Sequence, residues 1–204
     1  MERDSLGRLI VLAEYRDEDM GRHISRMSHY ARIIAKELGM DKVFQEEILN
    51  AAPMHDIGKV GIPDNILLKP GRLTKDEFEI MKTHTEIGYN ILKDSESATL
   101  KEGAAISLSH HENFDGSGYP KGLAGDKIPI AGRICKIADA FDALINKRIY
   151  KPAYTLEETI SIMKDEMRPD KYFDADCFNA FLKGMDEILD VRQKIDSGNI
   201  EDIS

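Results

Sequence analysis

The run His110-His111-Glu112-Asn113-Phe114-Asp115-Gly116-Ser117-Gly118-Tyr119-Pro120 sets two adjacent imidazoles and an acid against a turn too rich in glycine to be helix. A second dense group, His55-Asp56-Ile57-Gly58-Lys59, lies upstream. Imidazole and carboxylate donors together suit borderline divalent metals such as zinc, manganese and iron. Three further candidates, His23, His84 and Asp139, fall on apolar helical faces. The set His23, His55, Asp56, His84, His110, His111 and Asp139 exceeds what one tetrahedral ion takes. It suits two neighbouring ions with positions open to water and substrate, an arrangement that clamps a phosphodiester and activates water near neutral pH. A lone histidine on an apolar face is more often a hydrogen-bonded core residue than a ligand. The His-Asp and His-His pairs weigh the other way, because that many buried imidazoles and carboxylates are costly to satisfy without a cation.

Lys59 follows His55 by one helical turn, so its ammonium can reach the same site and neutralise a phosphate oxygen. The same position also suits an ordinary solvated lysine at a helix end. Arg148 and Lys151, beside Tyr150, form a small basic group that residue type alone reads as surface charge.

The elements that must position these groups are helical. Apolar residues recur at helical spacing, and no stretch sustains strand alternation, so the fold class is all-α. A first stripe carries Leu6, Leu9, Ile10 and Ala13, and a second His23, Met27, Tyr30, Ile34 and Leu38, closed by Gly39. A third carries Phe44, Ile48, Ala51, Ala52 and His55, with Gly58 as its end and Pro53 as a kink beside the His-Asp pair. A neighbouring His and Asp cannot point the same way on a regular helix, but at a kink both can reach one ion. Residues 61–72 read as a loop. Thr74 and Glu77 form a capping box for a helix whose inner face holds Met81, His84, Ile87, Gly88 and Ile91. A helix over residues 100–111 delivers the paired histidines, and a glycine-rich loop follows. Pro129 opens a helix through Ile134, Ile137, Asp139, Phe141 and Leu144. Thr155 and Glu158 make another capping box, and Asp174 or Asp176 caps a last helix bearing Phe178, Phe181, Leu182, Met185 and Leu189. The expectation is a bundle of about seven helices, with an N-terminal helical extension over 1–18, the main domain over 19–196 and a tail over 197–204.

Composition narrows the function classes. Of 204 residues, 42% are hydrophobic and 32% charged, which is ordinary for a globular protein. Apolar runs are too short for a membrane span, and the N-terminus lacks the apolar core of a signal peptide. Two cysteines, Cys135 and Cys177, are too few for a disulfide framework and point to reduced thiols in the cytoplasm. A net charge of −9 argues against binding nucleic acid polymers. A small phosphorylated ligand would need a local positive site.

The chain resembles the HD-GYP subgroup of the HD-domain phosphohydrolases. The resemblance rests on the runs at 55–63 and 110–120, with Leu68-Lys69-Pro70-Gly71 and Met81-Lys82-Thr83-His84-Thr85 between them. It implies a bacterial phosphodiesterase that opens cyclic di-GMP to linear pGpG, in some members onward to GMP. It implies two divalent ions, iron or manganese, on His23, His55, Asp56, His84, His110, His111 and Asp139, with Asp56 bridging. Substrate contacts carry over onto Lys59, Tyr119, Arg148 and Lys151. The Gly118-Tyr119-Pro120 loop is implied as a docking surface for diguanylate cyclase (GGDEF) domains. Receiver or sensor domains are implied upstream, with a homodimer left open. Chains of this kind are commonly the output half of such a protein, so this one reads as a stand-alone output domain or a fragment. Two departures stand out. Members with a third ion carry Glu four residues before the first histidine, where this chain has Asp19, which leaves a third ion and full hydrolysis to GMP open. Many members carry a basic residue after His-His-Glu, where this chain has Asn113. Two other readings stay open: a cyclic di-GMP sensor or adaptor with little turnover, and a hydrolase of another cyclic dinucleotide or phosphate ester. An oxygenase on a di-iron site of this type fits the Gly-Tyr-Pro loop less well.

Overall fold

The computed structural model describes residues 20–146 and 153–199. The first expected helix, the candidate ligand Asp19, the basic residues Arg148 and Lys151, and the last residues of the tail lie outside the described residues.

Helix α1 (Met20–Glu37) runs through the middle of the bundle and packs on α2 (Lys42–Ala51), α7 (Ile130–Ile145), α9 (Ala175–Lys183) and α10 (Met185–Asp196). It can do so because its apolar residues cover more than one face: Ile24, Met27, Tyr30, Ile33 and Ile34 are all buried. Gly39, at φ +80°, closes it, with the Met40 amide bonded to the Ala35 carbonyl. Tyr30 meets Phe141 edge-on at 5.5 Å, and Phe141 meets Phe181 at 5.0 Å, which fastens α1, α7 and α9 together. Each such ring contributes about 1.5–3 kcal/mol through burial.

Between α2 and α7 lie α3 (Asp64–Leu67), α4 (Lys75–Lys82), α5 (His84–Leu92) and α6 (Ala98–Ser109). Helix α6 packs on α2, α5 and α7. Helix α8 (Leu156–Ser161) continues as one π-helical turn, Ile162–Glu166. Both expected capping boxes form, at Thr74 with Glu77 and at Thr155 with Glu158, and Asp174 caps α9 by accepting from the Asp176 and Cys177 amides.

The described residues hold more and shorter helices than periodicity suggests, because three long stripes are interrupted. The stripe through His55 ends as α-helix at Ala51, before Gly58, and passes into a 3-10 turn, Ala52–Met54, containing Pro53. The stripe through His84 breaks at Thr83, whose hydroxyl donates back to the Ile80 carbonyl at 2.6 Å. The last stripe breaks at Gly184, where a Cβ would lie 2.7 Å from Ile33 Cγ2. Two smaller corrections follow. The loop expected over 61–72 includes α3, and Ile91, expected inside, is 51% exposed.

Candidate metal centre

The local backbone at the His-Asp pair is unusual for a reason. His55 closes the turn Ala52–Met54, and Asp56, at φ −105° and ψ 8°, sits between it and a second 3-10 turn, Ile57–Gly61. Two consecutive side chains therefore face one place, as the proline kink predicts. The second turn rests directly on α5. A Cβ at Gly58 would lie 1.9 Å from the His84 carbonyl oxygen and 2.5 Å from the Gly88 nitrogen, so only glycine fits. Gly88 in turn lies against Ser107 of α6, where a Cβ would meet the hydroxyl at 2.1 Å.

All seven donors converge. Asp56, His84, His110 and His111 place one potential ligand atom each within 4.8 Å of one another, and His23, His55 and Asp139 do the same. Asp56 joins the two groups. Its Oδ1 is 3.2 Å from His84 Nε2 and 3.6 Å from His110 Nε2, while its Oδ2 is 3.2 Å from His55 Nε2. His23 Nε2 lies 3.7 Å from Asp139 Oδ1. Lys59 also reaches the centre, its Nζ 2.7 Å from Asp56 Oδ2. The sixth histidine, His29, stands apart with Nδ1 against the Ser25 carbonyl.

The ring orientations fit a cation. Nδ1 of His55 lies 3.1 Å from the Ala52 carbonyl, that of His84 2.7 Å from Met81, and that of His110 3.1 Å from both Ile106 and Ser107. His23 Nδ1 lies 2.8 Å from Asp142 Oδ2. These acceptors hold the proton on Nδ1 and leave the Nε2 lone pair turned inward, the arrangement that orients metal-binding imidazoles. Among the described residues, His84 Nε2, His110 Nε2 and Asp56 Oδ1 are buried with no hydrogen-bond partner. Leaving such atoms unsatisfied costs about 1–3 kcal/mol each, and a divalent ion satisfies all three.

Electrostatics agree. Burial alone would raise the Asp56 carboxyl, yet the Lys59 ammonium beside it holds it well below the usual carboxylate range. Burial lowers His110, and lowers His111 further with His110 beside it, so both rings stay neutral and able to donate a lone pair. Tyr119 stacks on His111, centroids 4.7 Å apart and planes at 26°. Burial, with Asp56 and Asp139, pushes its phenol up, so it keeps its proton.

Two supporting residues escape a reading by residue type. Asp142 is buried and accepts from Arg26 Nε at 2.7 Å and Nη2 at 3.0 Å as well as facing His23. It lies three residues after Asp139 on an apolar helix, the one signal that could have singled it out. Glu112 is also buried. Its two oxygens accept the Lys121 amide at 2.7 Å and the Leu123 amide at 3.0 Å, which folds the Gly-Tyr-Pro loop back over the histidines. Gly118 allows that fold, since a Cβ there would lie 2.2 Å from the Asn113 nitrogen.

A helical bundle that gathers scattered histidines around a His-Asp pair defines an HD-type domain, a class whose members hold divalent metal ions. The HD-domain family profile matches residues 8–177. A cyclic di-GMP phosphodiesterase of Thermotoga maritima is 50% identical over 186 residues, 91% of this chain and 50% of that protein. The cyclic di-GMP phosphodiesterase response regulator RpfG of Xanthomonas campestris is 45% identical over 183 residues, 90% of this chain and 48% of that protein. The chain thus spans about half the length of these curated relatives. Among solved structures, an HDG"Y"P protein from Bdellovibrio bacteriovorus has a TM-score of 0.64 at 19% identity, covering 90% of this chain and 62% of that one. The chain belongs to the HD-domain family, in its HD-GYP subgroup.

Proposed function

We propose that this chain is a divalent-metal-dependent phosphodiesterase that hydrolyses cyclic di-GMP to linear pGpG. The observation that carries the proposal is the Asp56 carboxylate, which presents one oxygen to His84 and His110 and the other to His55. His23, His55, Asp139 and Asp56 would hold one ion, and His84, His110, His111 and Asp56 the other, with iron or manganese as the metals. When bound, such ions supply Lewis-acid stabilisation of the phosphodiester and an acidified water.

The chain's own residues do the rest. Asp56, held ionised, keeps a negative charge shared between the two groups. Lys59 brings a cation beside that carboxylate, where it can offset charge growing on the phosphate oxygens. Tyr119, held protonated over His111, offers a hydrogen-bond donor to the substrate. Water adds to phosphorus, the bond to one ribose 3′ oxygen breaks, and that oxygen takes up a proton. Arg148 and Lys151 complete the substrate contacts in this proposal, and Asp19 would decide whether a third ion supports onward hydrolysis to GMP. The names of the two curated relatives support the substrate, and the response regulator among them supports control by a receiver domain. A GGDEF partner at the Gly-Tyr-Pro loop remains part of the proposal through the resemblance alone.

The test is anaerobic purification, metal analysis, and incubation of cyclic di-GMP with manganese- or iron-loaded protein, with products separated by chromatography. Wild type should yield pGpG, and Asp56→Asn should lose metal and turnover together. An Asp56→Asn protein that keeps its ions and its full rate contradicts the proposal.

A further inference from the structure

Tyr119 links the metal centre to α4. One face of its ring stacks on His111, and the ring meets Phe78 edge-on, centroids 6.1 Å apart and planes at 82°. Lys82, one turn after Phe78 on the same helix face, places Nζ 5.6 Å from the Phe78 centroid and 5.7 Å from that of Tyr119. Helix α4 contributes little to the core: none of its residues is buried, and Phe78 leaves 45% of its surface in water. An aromatic ring that stabilises the fold so little, set against a cation and a ring that touches the histidine cluster, has the composition of a base-stacking surface. Glu79 steadies the ammonium from 2.7 Å and is itself well exposed.

We propose that Phe78 and Lys82 form, with Tyr119, a shelf for one purine of a cyclic dinucleotide. Phe78 stacks on the base and Lys82 meets acceptors on its edge. The inference rests on the phosphodiesterase reading and names the part of the site that recognises a base. Guanine presents two acceptors, N7 and O6, on its exposed edge, whereas adenine replaces O6 with an amino donor. An ammonium there favours guanine, so Lys82 is a specificity residue as well as a contact.

Two readouts test this on metal-loaded protein: steady-state hydrolysis of cyclic di-GMP and cyclic di-AMP, and fluorescence of a cyclic dinucleotide bearing 2-aminopurine, which is quenched by direct stacking. Phe78→Ala should raise KM for cyclic di-GMP roughly 10-fold with a much smaller change in kcat, and abolish the quenching. Phe78→Tyr, which keeps a ring, should retain both. Lys82→Met should reduce the preference for cyclic di-GMP over cyclic di-AMP by about 10-fold. Wild-type KM and quenching in Phe78→Ala overturn the shelf. A loss of kcat alone, with quenching intact, also overturns it, because Phe78 then only props Tyr119. An unchanged base preference in Lys82→Met overturns the edge contact. Wild-type protein that neither binds nor hydrolyses either dinucleotide overturns instead the phosphodiesterase reading beneath it.

Discussion

Asp142→Asn keeps the shape of the side chain and removes its charge, and the surrounding hydrogen bonds make its effect calculable. Oδ1 accepts from Arg26 Nε, while Oδ2 accepts from Arg26 Nη2 and faces His23 Nδ1. An amide has one acceptor and one donor end. If its carbonyl faces Nε, its NH2 meets two donors, Arg26 Nη2 and the His23 Nδ1–H. His23 can relieve that clash only by moving its proton to Nε2, which removes the lone pair aimed at the centre. If the amide turns over, its NH2 meets Arg26 Nε instead. Either way, among the described residues, a buried guanidinium keeps only Asp196, at 3.1 Å, as a charged partner. Breaking a buried ion pair costs about 3–5 kcal/mol, and Asp196 places this case near the low end. Loss of an orienting partner behind a metal-binding histidine costs about 10–100-fold in metal affinity. Calorimetry of the metal-free protein should show the destabilisation, and chelator competition followed by elemental analysis should show the weakened site. Burial alone would raise Asp142, but His23 and Arg26 lower it. Its contribution is therefore present above the unfolded value of about 3.9 and fades as pH falls through the folded value, so the gap between the two proteins narrows only in acid. A variant that melts lower yet binds metal with wild-type affinity and stoichiometry refutes the argument about His23.

Lys59→Met should keep its metal and lose about 10²–10³-fold in kcat; a rate near wild type removes the lysine from the chemistry. Gly118→Ala forces a Cβ within 2.5 Å of Glu112 Cα, so the loop must shift and carry Tyr119 off His111. A fall of about 100-fold in kcat/KM with normal metal content is expected, and an unperturbed kcat/KM counts against the loop's role. Burial lowers His29, His110 and His111. The unfolded chain, with imidazoles near about 6.5, therefore binds more protons, and metal-free stability rises with pH up to that value. The metal-free protein should melt higher at about pH 7.5 than at about pH 5.5, and equal melting temperatures contradict the assigned burial.

Residue type and helical spacing carry most of the candidate site's donor set. His23, His84 and Asp139 are legible because periodicity turns them inward, and the break at Pro53 explains how His55 and Asp56 can share a target. Asp142 and Arg26 were not legible as partners because 116 residues separate them in the chain, and only the contact of α1 with α7 joins them. Glu112 lay inside a motif, but its task is to hold two backbone amides of a loop whose course the sequence does not state. The helix breaks at Thr83 and Gly184 were missed for two different reasons. One comes from a hydroxyl competing for a backbone carbonyl, the other from the close approach of Ile33.

The contact of Gly58 with the start of α5 has a mechanical consequence. It is main chain against main chain, so no side chain there can rotate to take up slack. The backbone spacing of Asp56 from His84 is fixed like the jaws of a gauge, whereas His23 and Asp139 are carried by two separate helices, α1 and α7, that meet through side chains. Cations of unequal radius should therefore sort themselves, the tolerant half accepting sizes that the stiff half rejects. Anomalous diffraction from crystals soaked in mixed manganese and cadmium would read that asymmetry, and equal occupancy of both ions in both halves would exclude it.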